Sequence, residues 1–237
     1  AAAAAWGGGS PPAALANQAA QGRHATVRVK ICGLTTAPTL EAALSAGADM
    51  VGIGFFPKSP RHLRLAAAPE LAAMARGKAE IVALLVDPDD AMLDKVIAAL
   101  GPDLLQLHGA ESPERVAAIR QRSGRPVMKV IGVAGAADLA GVGAHARVAD
   151  RLLLDAKAPA GARLPGGNGA AFDWRLLAGF DPGKPWLLAG GLGPANVAEA
   201  VRLTRAPGVD VSSGVERAPG VKDEAMIAAF VAAARAA

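Results

Sequence analysis

Cys32 is the only cysteine in this chain of 237 residues, and it closes the run Val27-Arg28-Val29-Lys30-Ile31 just before Gly33-Leu34-Thr35. A thiol acts as a base or nucleophile only as its thiolate, and a nearby cation favours that form. Lys30 lies two residues earlier, on the same face of any strand, so the pair predicts a thiol drawn toward ionisation. Gly33 permits a sharp turn and close approach of a ligand. An inert core cysteine is the alternative. Asp155 ends the run Leu152-Leu153-Leu154, where a carboxylate is costly to bury without a partner or a task. Its structural alternatives are a helix cap or an ion pair with Lys30. Arg61 follows Phe56-Pro57-Lys58-Ser59-Pro60. The two prolines stiffen that loop, and the planar guanidinium suits a carboxylate. The alternative is a solvated cation on a surface loop.

Three further segments carry glycine where backbone N–H groups could meet an anion. They are Leu164-Pro165-Gly166-Gly167-Asn168-Gly169, Ala189-Gly190-Gly191-Leu192 and Ser212-Ser213-Gly214. Together they predict a phosphate cradle without a cationic side chain, against the alternative of tight packing alone.

The elements that must position these groups follow from the hydrophobic pattern. Short runs of Val, Ile, Leu and Met at 27–32, 50–56, 80–86, 104–108, 126–133, 151–155, 185–190 and 208–213 alternate with Ala- and Leu-rich helical stretches. Continuous apolar runs of that length fit parallel strands buried on both faces. Thr39, Ser112 and Asp173 are predicted N-caps. Strict alternation implies a parallel sheet. Eight units between Thr26 and Ala237 favour a single (β/α)8 barrel, near its lower length of about 200 residues, over a doubly wound sheet of fewer strands. In a barrel, residues two apart share a side. Lys30 with Cys32, Gln106 with His108, and Asp210 with Ser212 are therefore predicted to point inward, because a helix-facing side should not tolerate them. Gly52 and Gly54 then face in and leave space, while Val51, Ile53 and Phe55 face the helices. The first, sixth, seventh and eighth strand runs all end in the groups named above, as a barrel active site requires.

Residues 1–25 are nearly all Ala, Gly, Pro, Ser and Gln and are expected to be a low-complexity extension outside the barrel at 26–237. They lack the basic start and apolar run of a secretory signal. No membrane span is expected, since no run of about 18 apolar residues occurs. A lone cysteine forms no internal disulfide and suits a reducing, cytoplasmic setting. The four histidines lie at 24, 62, 108 and 145 without ligand spacing, so no metal is expected. The net charge is +4, with scattered cations and no Tyr. That argues against a nucleic-acid surface and is compatible with a small anionic substrate.

With these residues in place, the chain resembles the phosphoribosylanthranilate isomerase family from about Val27 to Phe230. The matching stretches are KICGLT at 30–35, GADMVGIGFFPKSPR at 47–61, LLQLHG at 104–109, LLLDA at 152–156, GGNG at 166–169, FDW at 172–174, LAGGLGPANV at 188–197 and GVDVSSGVERAPGVKD at 208–223. The resemblance implies an Amadori rearrangement of N-(5-phosphoribosyl)anthranilate to an aminoketose, in tryptophan biosynthesis, without cofactor or metal. It implies Cys32 as general base, Asp155 as general acid, Arg61 on the anthranilate carboxylate and Asp210 on a substrate hydroxyl, with Gln106 and His108 also at the substrate. Gly166, Gly167, Asn168, Gly169, Gly190, Gly191, Ser213 and Gly214 would hold the phosphate. To work near neutral pH, Cys32 must ionise more readily than a free thiol and Asp155 less readily than a free carboxyl. Lys30, if close to both, would help one and hinder the other. Asn168 departs from the threonine usual in the family. The expected partner is a small phosphorylated molecule, and the expected state a monomer or homodimer. Two other readings remain: a sister barrel for a histidine-pathway ribonucleotide, which pairs two aspartates in that family, and a non-catalytic phosphate-binding barrel.

Overall fold

The computed structural model describes residues 26–158, 161, 162, 164–167, 169 and 171–237. The extension at 1–25 and Asn168 lie outside the described residues. The β-branched and leucine-rich runs form β1 (Arg28–Cys32), β2 (Met50–Gly54), β3 (Glu80–Leu85), β4 (Leu104–Leu107), β5 (Val127–Val133), β6 (Arg151–Ala156), β7 (Trp186–Leu188) and β8 (Gly208–Val211). Each pairs in parallel with the next, and β1 pairs with β8, so the eight close into a barrel. Strands β2, β7 and β8 end two residues before their apolar runs do. The residues beyond them turn out of the ladder to line the C-terminal mouth, as at Gly190 with φ +88°.

Around the barrel lie α1 (Ala37–Ser45), α2 (Ala68–Ala75), α3 (Asp90–Leu100), α4 (Pro113–Ser123), α5 (Ala136–Leu139), α6 (Val142–Ala146), α7 (Val197–Thr204) and α8 (Glu224–Arg235). One-to-one alternation fails at two neighbouring connections, those on either side of β6. Both α5 and α6 stand between β5 and β6, and only a 3-10 turn, Trp174–Leu177, is described between β6 and β7. Prolines and glycines punctuate that connection, and both disfavour helix.

Ser112 caps α4 by accepting from the Arg115 N–H at 3.3 Å, and Asp173 caps the 3-10 turn through Arg175 N–H at 3.1 Å. Thr39 is not a cap; Thr36 holds that position and Pro38 sits in the first turn. Proline lacks an N–H, so it is tolerated where helix donors are unsatisfied anyway. A further element follows β8: a hairpin of β9 (Glu216–Ala218) and β10 (Val221–Lys222).

The parity argument holds in the interior. Met50, Val82, Leu104, Met128, Leu153 and Leu187 form a separate apolar cluster, whereas Val51, Ile53 and Phe55 pack in the main core beneath the helices. Its premise fails once. Lys129 lies on the helix-facing side of β5, in step with Val127 and Val133, yet it is buried. A buried partner, Glu111, lies 2.7 Å from its Nζ and makes this tolerable.

Candidate active site

At the C-terminal mouth, one cleft of about 870 Å³, including the part open to solvent, is lined by Cys32, Arg61, Gln106, His108, Asp155 and Asp210. The same cleft is bordered by Gly166, Gly167, Gly169, Gly190, Gly191, Ser213 and Gly214. Every site residue anticipated from sequence is therefore brought together here, apart from Asn168.

Cys32 ends β1 and is buried. Its neighbour Lys30 is fully buried and donates from Nζ to Asp210 Oδ1 at 2.7 Å. Burial opposes the charge on Lys30, but Asp210 and Cys32 together hold its pKa above the ordinary lysine value. Lys30 does draw Cys32 toward thiolate, as expected, but it does not prevail. Burial pushes the thiol up, Lys30 pulls it down, Asp210 pushes it up again, and the balance stays above the ordinary value. The chief cause is burial, and Asp210, which also pairs with Lys30, adds to it. Gly52 makes this packing possible, since a Cβ there would lie 2.9 Å from both Cys32 Sγ and Lys30 Nζ.

Asp155 ends the inward face of β6. Its Oδ1 accepts from the Ala156 N–H at 2.9 Å, and its Oδ2 lies 3.4 Å from His108 Nε2. The anticipated alternative of an ion pair with Lys30 is absent, because Lys30 is taken by Asp210. Gly166 closes over both groups. A Cβ on it would stand 2.4 Å from His108 Cε1 and 2.7 Å from Asp155 Oδ2. Gln106 lies one inward position below His108, with its Oε1 buried and unpartnered, so the cleft holds a spare acceptor.

Arg61 is not a solvated cation. It is 8 % exposed, and Glu216 takes its Nε and Nη2 at 2.7 and 2.8 Å. Glu216 also accepts from Lys222 Nζ at 2.8 Å, and Lys222 donates to the Ser212 carbonyl at 2.8 Å. Burial raises the Glu216 pKa, but Arg61 and Lys222 outweigh it and hold the carboxyl below its usual range; burial depresses Lys222. One carboxylate thus ties the β2 loop to the end of β8. The sequence reasoning missed Glu216 and Lys222 because their hairpin carries no strand-length apolar run. Their only signal was two opposite charges, two and eight residues beyond the Ser212-Ser213-Gly214 turn.

The amides of Gly190, Gly191 and Ser213 donate to no other described residue, which leaves them for an anion. Asn196 fixes this loop, donating to Gly191 O at 2.9 Å and accepting from Gly193 N–H at 2.8 Å. Gly214 serves packing. Its φ is not left-handed, and a Cβ there would lie 1.8 Å from the Leu192 carbonyl oxygen. Among the described residues no three His, Cys, Asp or Glu side chains group to hold a metal ion, and no helix is long and apolar enough to cross a membrane.

Residues 29–233 match the family model described as N-(5'phosphoribosyl)anthranilate (PRA) isomerase. An N-(5'-phosphoribosyl)anthranilate isomerase of Azorhizobium caulinodans is 63% identical over 211 residues, covering 89% of this chain and 92% of that protein. The enzyme of the same name from Paracoccus denitrificans is 61% identical, over 89% of this chain and 98% of its own length. The crystal structure of phosphoribosyl anthranilate isomerase from Thermotoga maritima superposes with a TM-score of 0.80 at 33% identity, covering 89% of this chain and all of that one. Another, in complex with reduced 1-(o-carboxyphenylamino)-1-deoxyribulose 5-phosphate, superposes at 0.77 with 32% identity over the same shares. With a family model spanning most of the barrel and relatives this similar, the chain belongs to the N-(5'-phosphoribosyl)anthranilate isomerase family.

Proposed function

We propose that this chain isomerises N-(5-phosphoribosyl)anthranilate to 1-(2-carboxyphenylamino)-1-deoxyribulose 5-phosphate in tryptophan biosynthesis, with Cys32 as general base and Asp155 as general acid. The observation that supports it is the convergence of a thiol from β1 and a carboxyl from β6 on one cleft bordered by undonated glycine amides. Protonated Asp155 gives its proton to the ribose ring oxygen, the C1′–O bond breaks, and a Schiff base forms with the anthranilate nitrogen. That cation makes the C2′ proton acidic. The Cys32 thiolate removes it, leaving an enolamine that tautomerises to the aminoketose. Atoms balance, and no electrons leave the substrate.

The remaining groups bind. Gly190, Gly191 and Ser213 offer N–H groups to the phosphate, together with the 166–169 loop. Arg61 meets the anthranilate carboxylate through Nη1, because Glu216 occupies its other edge. Asp210 and Gln106 accept from sugar hydroxyls. Phosphate and carboxylate lie far from the reacting carbons, so their binding energy positions C2′ against the base and the ring oxygen against the acid.

The test is turnover of the aminoaldose by wild type, Cys32→Ala and Asp155→Asn. Activity is expected in wild type and a loss of at least about 10²-fold in either variant. Near-normal turnover in a variant removes that residue from the mechanism. Wild-type turnover of the histidine-pathway aminoaldose instead would favour the sister reading.

A further inference from the structure

We propose that Glu111 and Lys129, a buried ion pair outside the barrel, are positioning residues for the acid side of the active site, acting through His108. The proposal rests on the reading of Asp155 as the acid. Glu111 follows β4 by four residues, and Lys129 belongs to β5. Their side chains are 1 % and 4 % exposed, and neither lines the cleft. Nothing in the reaction needs them, yet a buried pair is costly to retain against an apolar pair of similar size.

Their contacts explain what they do. Both Glu111 carboxylate oxygens accept from the Gly109 N–H, at 3.1 and 3.0 Å. Oε1 also accepts from the Asp87 N–H at 2.9 Å. Lys129 Nζ donates to the Gly109 carbonyl at 2.7 Å and to the Leu107 carbonyl at 3.4 Å. The pair therefore grips the backbone on each side of His108. The His108 N–H itself is tied to the Leu85 carbonyl at 2.8 Å. Asp87 completes the clamp by accepting from the Ala110 N–H at 2.7 Å, over a Gly109 whose Cβ would fall 2.4 Å from the Asp87 carboxyl. β4 ends at Leu107, and beyond it the ladder holds His108 only through this one N–H. The Glu111–Lys129 pair extends the rigid wall by these residues and keeps Nε2 of His108 at 3.4 Å from Asp155 Oδ2. Displacement of about 1 Å at such a point costs up to about 10²-fold in rate.

A double-mutant cycle tests this. Lys129→Met should lower kcat about tenfold and leave KM within about threefold, because the phosphate and carboxylate anchors are untouched. In a His108→Ala background the same substitution should cost less than about twofold more, since the residue it positions is gone. Glu111→Gln/Lys129→Met removes both charges and leaves no unpaired buried ion. It should melt near wild type and show the same kcat loss, so it carries the cycle if Lys129→Met does not fold. Equal losses with and without His108, a loss confined to KM, or unchanged kcat in the folded double variant would each overturn the proposal. Failure of the mechanism itself would read differently, as undiminished turnover in Asp155→Asn.

Discussion

On the β1–β8 side of the cleft, the Lys30 and Asp210 side chains are 0 % and 9 % exposed, in a paired cluster with buried Cys32 on adjacent strands. On the β4–β6 side, His108 and Asp155 keep side-chain exposures of 13 % and 12 % beneath Gly166. The first cluster belongs to the barrel wall and cannot yield without moving strands. The second is roofed by a loop and steadied from outside by Glu111 and Lys129. The contrast fits the proposed chemistry: the base must reach one carbon along a fixed line, while the acid must meet an oxygen that moves as the ring opens.

The largest effects are expected at the two ends of this comparison. Cys32→Ala and Asp155→Asn should each lose at least about 10²-fold in kcat, with product-analogue affinity within about tenfold, since neither group chiefly stabilises the ground state. Steady-state kinetics and titration of the reduced product analogue measure both. If Asp155→Asn unfolds the chain, the carboxyl is a structural group and the acid lies elsewhere.

Added methyl groups separate the two sides more finely. In Gly52→Ala the new Cβ meets Cys32 Sγ and Lys30 Nζ at 2.9 Å and the Cys32 Cα at 3.1 Å. Overpacking of a rigid wall costs about 1–3 kcal/mol. Thermal melting should fall by several degrees, roughly 2–4 °C per kcal/mol at this size, along with kcat. Gly166→Ala presses on His108 and Asp155 from a loop that can lift. It should lower kcat about tenfold while Tm stays within about 2 °C. Equal melting losses in both variants would erase the distinction between wall and roof.

For Arg61→Lys, KM should rise about tenfold with a smaller change in kcat. A lysine there would satisfy Glu216 with its single ammonium and leave nothing like Nη1 for a carboxylate. A substrate lacking the anthranilate carboxylate is the control. If wild type handles it as well as the normal substrate, Arg61 does not read that group.

What was legible in the sequence divides along the same lines. Strand runs and residue parity placed Lys30, Cys32, Gln106, His108 and Asp210 inward, because a period of two is a local property of the backbone. Glycine at strand ends marked the mouth. The partners were not legible. Lys30 chose Asp210 over Asp155 because β1 closes on β8, a contact across 180 residues. Lys129 broke the rule against buried charge on the helix side because Glu111 reaches it from the next loop. Glu216 meets Arg61 only once the hairpin after β8 folds back, its Gly220 turn pressing on the Pro60 carbonyl. Pattern fixes direction, whereas closure decides pairing.

The smallest effect is expected from pH alone, and it tests whether the base side is as sealed as its geometry implies. Burial raises the Cys32 thiol in the folded chain, and Lys30 only partly offsets this. An unfolded chain ionises the same thiol near 8.5. Above that pH the unfolded state has lost a proton that the folded state keeps. The unfolded state then binds fewer protons, so this group's contribution to stability falls as pH rises, by up to about 1.4 kcal/mol per unit. Two lysines act in the same range. Lys30 is raised and has the same sign, but its window opens only above about 10.4. Lys222 is lowered, so the folded chain loses that proton first and stability rises with pH below about 10.4. The wild-type curve therefore mixes opposing slopes, and the difference between wild type and Cys32→Ala reports the thiol together with its pull on Lys30 and Lys222. Chemical denaturation between pH 7 and 10 should show that difference shifting against wild type from about 8.5 upward, while kcat/KM climbs over the same interval as the thiolate fraction grows. A difference curve that instead shifts in favour of wild type up to about 8.5 and is level above it, with kcat/KM already level at pH 7, would mean that Lys30 wins over burial and Cys32 is ionised in the resting site. The base side would then be an electrostatic device, not a sealed one.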